Sequence, residues 1–124
     1  MWLRRIIGAA ISVHRELGPG MPRSLYVNCL AYEMERAGLR FARDVPVPLT
    51  FHGLALDPVR IDFVVEDKVL VDVRAVESIR PSHSAQLTAL MRHAGKCIGL
   101  LINFHAPILK LGLRKRTLRR EDLM

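Results

Sequence analysis

Apolar residues in the first segment fall at Leu3, Ile6, Ile7, Ala10, Ile11 and Leu17, with His14 on the same line. Steps of three and four residues put these positions on one face of a helix. The pattern therefore predicts an amphipathic helix over about residues 3–17. Gly18-Pro19-Gly20 ends it, since glycine allows positive φ and proline cannot continue the hydrogen-bond ladder. Pro22 suits the first turn of a second helix, where its missing N–H is not needed. Leu25, Cys29, Leu30, Tyr32, Met34 and Ala37 give that helix a broad apolar surface, and Gly38 is placed to cap it.

The period then drops to two. Val45, Val47 and Leu49 alternate within residues 41–51, but Pro46 and Pro48 between them restrict this segment to an edge or irregular strand. Residues 59–65 alternate more cleanly, Glu66-Asp67-Lys68 reads as a tight turn, and residues 69–76 form the next strand, giving a hairpin. Pro81 and Ser82 open a third helix with Ala85, Leu87, Leu90, Met91 and Ala94 as apolar positions and Gly95 as its stop. Residues 97–104 are apolar almost throughout, as in a strand covered on both faces. The predicted order is α-α-β-β-β-α-β, an α/β domain with a mixed sheet flanked by helices. Residues 1–109 hold this single domain, and residues 110–124 are a basic C-terminal strand or tail.

Composition adds a partner class. The chain of 124 residues carries 19 Lys and Arg against 12 Asp and Glu, a net charge of +7. Fifteen of the bases are Arg, whose planar fork matches phosphate and carboxylate geometry. Six bases and no acid lie between Lys110 and Arg120, either as a solvated end or as an arm that tracks phosphates. Cys29 and Cys97 make neither a disulfide framework nor a zinc motif and are expected as buried small hydrophobes. The apolar run after Arg4-Arg5 leads directly into His14-Arg15-Glu16 without a small-residue cleavage site. It is also far shorter than the roughly 20 residues of a membrane span. The expectation is a cytoplasmic protein without a membrane partner. Short length and apolar strand edges suit a homo-oligomer.

The chemistry concentrates in the hairpin. Period two places Asp72 and Arg74 on one face of their strand, and a turn centred on Asp67 brings Asp62 opposite Asp72. Charges in apolar strands are costly unless paired or bound to a cation. Two readings fit the spacing. Asp62 and Asp72 flank Arg74 in an ion-pair network, or they share Mg²⁺, a hard cation that takes oxygen ligands and activates water for phosphodiester hydrolysis. Elsewhere, Ser24 and Ser78 lack His/Asp partners for a triad, and no phosphate-binding glycine loop is present. His83 is expected to cap the third helix or to pack, His14 to be a satisfied core or boundary residue, Tyr26 to pack, and Trp2 to anchor the first helix.

These segments resemble the GxxExxY proteins of the PD-(D/E)XK nuclease superfamily. The likeness runs through Ile6-Ile7-Gly8-Ala9-Ala10-Ile11, His14 to Gly20, Leu30-Ala31-Tyr32-Glu33, Gly38-Leu39 and Val45 to Pro48. It continues through Arg60 to Val65, Asp72 to Glu77, His83 to Leu87 and Gly99 to Phe104. The resemblance implies a restriction-endonuclease-like core and metal-dependent hydrolysis of nucleic acid. Asp62 and Asp72 would hold Mg²⁺ or Mn²⁺, Arg74 would stabilise the transition state, and Gln86 would orient water or substrate. Three positions depart from the family pattern. Arg23 stands where the naming motif has glutamate, and Asp72-Val73-Arg74 stands for the E-x-K signature. Arginine keeps the charge but cannot act as a base near neutral pH. Arg23 can instead pair with an aspartate and take the cation's place. The alternative is then a catalytically inactive homologue, a nucleic-acid-binding or protein-interaction module. In the nucleic-acid-binding form Arg23, Arg74, Arg114, Lys115 and Arg116 would contact phosphates.

Overall fold

The computed structural model describes residues 2–123; Met1 and Met124, the outer limits of the two expected ranges, lie outside the described residues. Two helices come first, α1 (Trp2–Leu17) and α2 (Arg23–Arg36). The strands β1 (Phe41–Phe51), β2 (Leu54–Val65) and β3 (Val69–Arg74) follow, then α3 (Pro81–Ala94), β4 (Ile98–Asn103) and β5 (Leu113–Thr117). Short 3-10 turns at Leu109–Gly112 and Arg120–Leu123 flank β5. The strands form one sheet in the order β1-β2-β3-β4-β5. Only the β3–β4 pair is parallel, because α3 lies between them in sequence as a crossover. Among the described residues, no helix is long and apolar enough to cross a membrane.

The sheet divides the core in two. On one face α1 and α2 pack through Ile6, Ala10, Tyr26, Leu30 and Met34 onto Phe63, Val65, Val71, Val73 and Ile102. On the other, α3 packs through Leu87 and Met91 onto Ile61, Val64, Leu70 and Leu101. Both helix faces are rotated from the expected ones. In α1 the buried stripe is Ile6, Ala9, Ala10 and Val13, and Ile11 is 40 % exposed. In α2 it is Tyr26, Leu30, Ala31 and Met34, and Tyr32 is 63 % exposed. Each sequence offers two overlapping apolar stripes; the stripe with small Ala9, Ala10 and Ala31 is the one that lets the helices approach. Pro22 precedes α2 as its N-cap rather than lying in its first turn. Cys29 and Cys97 are half-buried rather than buried.

The strands also differ in extent. β2 begins at Leu54, five residues before the alternation becomes visible, because a two-residue turn at His52-Gly53 with positive φ at both positions (49° and 83°) keeps it paired to β1. The outer part of this hairpin projects beyond the helices and leaves Phe51, Leu54, Leu56 and Val59 exposed. β1 is an edge strand, as its prolines require, and its register shifts between Val47 and Leu49, across Pro48. β3 stops at Arg74, two residues early, because Asn103 takes over. The buried Asn103 side chain donates to Val76 O (2.9 Å) and accepts from Val76 N (3.0 Å). It thus turns the chain away from the sheet directly after Arg74. Asn103, itself 2 % exposed, is the partner of both Val76 main-chain groups, and Asn103→Ala removes it. The substitution is expected to destabilise the fold by about 2–4 kcal/mol in urea denaturation.

Candidate active site

β3 is buried on both faces until its last residues, where it carries Asp72 and Arg74. Asp72 lies on the α3 side, like Leu70 before it. Beyond the Phe63–Val71 pair the ladder between β2 and β3 ends, although both strands continue. Alternation along β2 breaks at the same place: Phe63 and Val65 face α1 and α2, while Ile61 and Val64 both face α3. Between them, Asp62 turns its carboxylate toward β3 instead of away from the sheet. Its Oδ2 accepts the Val73 N–H at 2.7 Å.

Arg23 completes this junction. It is the first residue of α2, and the loop before it is held by Tyr26, whose hydroxyl donates to Gly18 O (2.5 Å) and accepts from Met21 N (3.0 Å). Tyr26 is itself fixed by stacking on Phe104, with ring centroids 4.7 Å apart. From this position Arg23 donates through Nε to Val73 O at 2.8 Å and pairs through its terminal nitrogen with Asp62 Oδ1. Asp62 and Arg23 thereby serve both main-chain groups of Val73. An arginine in the first turn of a helix opposes the helix dipole, and that turn carries no acid of its own. The Asp62 carboxylate supplies the missing negative charge from the sheet.

The second half of the site is parallel in design. Asp72 is 8 % exposed and its Oδ2 accepts from both Nε and a terminal nitrogen of Arg74, each at 3.2 Å. The same arginine donates to Gln86 Oε1 on α3 at 2.7 Å. Burial pushes the Asp72 carboxyl above its ordinary value of 3.8, and the Arg74 charge beside it works in the opposite direction. Together these groups line a cleft of about 730 Å³ between the β1–β2 hairpin and α3.

The structure thus brings Asp62, Asp72, Arg74, Gln86 and Arg23 to one place. Arg114, Lys115 and Arg116 on β5 do not line this cleft. Two further titratable residues reach it, Arg60 and His93. Their signal was periodic: Arg60 stands two residues before Asp62 on the same strand, and His93 stands seven after Gln86 on the same helix face. Arg60 also holds Asp44, a β1 residue with positive φ (51°), donating to its main-chain oxygen at 3.0 Å. The histidines set aside as structural behave so, with His83 Nδ1 accepting the Arg80 N–H (2.9 Å) and His14 Nε2 2.8 Å from Ala106 O.

These residues do not fit a divalent cation. Both Asp62 oxygens are engaged, one by Arg23 and one by Val73 N–H. The fork of Arg74 holds Asp72. The two carboxylates and two guanidinium groups cancel in charge, so a dication would enter a site already neutral. Among the described residues, no three His, Cys, Asp or Glu side chains form a group able to hold a metal.

An acid with a higher pKa folded than unfolded keeps its extra proton only in the folded state over the interval between the two values. Stability contributed by Asp72 therefore falls as pH rises from about 3.8 through the folded pKa, and the loss persists above it. Carboxyl NMR titration is expected to show Asp72 titrating above 3.8, and Arg74→Met to move that midpoint further up, since it removes the opposing charge. An unmoved midpoint would contradict the pairing.

Comparisons with known proteins bear on this geometry. Neither the curated proteins nor the solved structures gave a match. A sequence model of the PD-(D/E)XK nuclease superfamily matches residues 1–116, which contain α1 through β4 and every residue of the cleft. Three helices around a five-stranded mixed sheet suit the restriction-endonuclease-like core. The chain belongs to the PD-(D/E)XK nuclease superfamily.

Proposed function

We propose that this protein is a nucleic-acid-binding member of its superfamily, of the GxxExxY type by motif, in which a guanidinium has replaced the catalytic metal. Nucleases of this superfamily generally depend on a divalent metal. The observation that carries the reading is Arg23, which occupies one Asp62 oxygen and the Val73 carbonyl. Glutamate at position 23 would add an acid to Asp62 and Asp72 and favour a cation; arginine removes the need for one. With Arg74 held between Asp72 and Gln86, the position of the family's lysine offers an arginine that cannot act as a base for the hydrolytic step.

Binding survives this loss. Arg23 is half exposed and Arg60 more than half, so both offer free donors at the cleft mouth while their acid partners hold them in place. The net charge of +7 draws a polyanion to the protein. This favours nucleic acid over a neutral protein surface as the partner.

The test is cleavage and binding of labelled single- and double-stranded DNA and RNA, with Mg²⁺, Mn²⁺ or EDTA. No cleavage in any lane and affinity unchanged by EDTA are the expected results. Metal-dependent cleavage abolished by Asp62→Ala would overturn the proposal. Arg23→Glu brings carboxylates to positions 23, 62 and 72. It is expected to bind Mn²⁺ in calorimetry where the wild type shows no heat of binding, and to be less stable than wild type without metal.

A further inference from the structure

We propose a second phosphate-binding site, separate from the Asp62/Asp72 cleft, formed by Arg80, Arg114 and Arg116 on the far edge of the sheet. It rests on the nucleic-acid reading above and extends it by assigning where the backbone of the same nucleic acid is held.

Register builds the site. In β5, Arg114 pairs with Leu101 and Arg116 with Gly99. Directly opposed residues share a face of the sheet. Leu101 packs under α3, and a Cβ at Gly99 would run into Met91 of α3. Arg114 and Arg116 therefore both stand on the α3 side. Lys115 pairs with Leu100, which belongs to the opposite core. The basic run 114–116 is thus split by the pleat, two charges to one face and one to the other. On α3 the matching surface is a stripe at four-residue spacing, Arg80 just before the helix, then Ser84 and Thr88. Arg80, Ser84, Thr88, Arg114 and Arg116 line one concavity of about 520 Å³.

The charge in this concavity is uncompensated. No acid lines it. Among the described residues, none of the three arginines forms an ion pair, whereas Arg23, Arg36, Arg40, Arg60, Arg74 and Arg119 all do. Among the described residues, Arg114 donates only through Nη1, to the main-chain oxygens of Leu111 and Leu113 at 3.0 and 2.8 Å, which leaves Nε and Nη2 for an anion. Three guanidinium groups of like charge around one hollow repel each other until an anion enters. The fork geometry of arginine and the hydroxyl of Ser84 suit a phosphate. Thr88 already donates to Ser84 O and leaves its hydroxyl oxygen as an acceptor, so the arginines supply the binding charge.

The experiment is fluorescence anisotropy of a labelled oligonucleotide duplex across a salt series. Wild type is compared with Arg114→Gln/Arg116→Gln, Arg80→Gln and Lys115→Gln. Each phosphate contact contributes roughly 0.9 to the slope of log affinity against log salt. The double variant is expected to lose about 1.8 from that slope and Arg80→Gln about 0.9, while Lys115→Gln leaves it within error. Arg80→Gln leaves β5 untouched, so it guards against a misfolded double variant. If the wild type binds but the Arg80 and Arg114/Arg116 variants keep its slope, this site is overturned and the binding function stands. If the wild type binds no oligonucleotide, both fail. Inorganic phosphate supplies a further arm: shifts in the Arg80, Arg114 and Arg116 side-chain NMR signals that oligonucleotide does not compete away would mark a small-anion site and overturn the proposal.

Discussion

The central strand β3 is buried on both faces and yet ends in charge. β3 sits between β2 and β4 under two layers of helix, and its last turns of pleat carry Asp72 and Arg74. Charge taken from water into such a position is tolerated only when it is paired and its hydrogen bonds are satisfied. Most of the architecture near the cleft answers that demand. β2 leaves the ladder after Phe63 and substitutes the Asp62 carboxylate for a strand partner. Arg23 arrives from α2 to neutralise Asp62 and to serve the Val73 carbonyl. Asn103 receives the chain after Arg74 and closes the remaining main-chain groups. Among the described residues, no buried side-chain nitrogen or oxygen lacks a partner.

On the proposed reading, the same demand explains how the scaffold would outlive a catalytic metal. Two carboxylates close together need positive charge, and a guanidinium supplies it permanently, with directed N–H bonds and no dependence on ion concentration. A hydrated cation leaves exchangeable waters for chemistry; arginine leaves none. Replacing one by the other keeps the fold's electrostatics and gives up the nucleophile. Arg23 is carried by a helix whose loop is clamped by Tyr26, itself stacked on Phe104 of the core. The substitution is therefore rigidly placed and not a loose surface contact.

The sequence alone determined the elements and much of the site. Helical spacing, the glycine and proline stops, and the alternation of residues 59–65 and 69–74 are local signals, and local backbone preferences carried them into the structure. The nearness of Asp62 to the end of β3 was legible by counting from the turn at Asp67, but the ladder stops at Phe63–Val71, so Asp62 and Asp72 are not strand partners. Tertiary packing decided what spacing leaves degenerate. Which apolar stripe of α1 and α2 faces inward depended on close approach to the sheet, and so Ile11 and Tyr32 are exposed. The reach of β2 to Leu54 depended on pairing with β1 rather than on its own composition. The partner of Arg23 lies 39 residues away, and the sequence could only offer the aspartates as candidates. The contrasting fates of Arg114, Lys115 and Arg116 follow from the register of β5 on β4, a long-range pairing that no local pattern encodes. Local periodicity specifies elements and faces; only the assembled sheet specifies which distant charges meet.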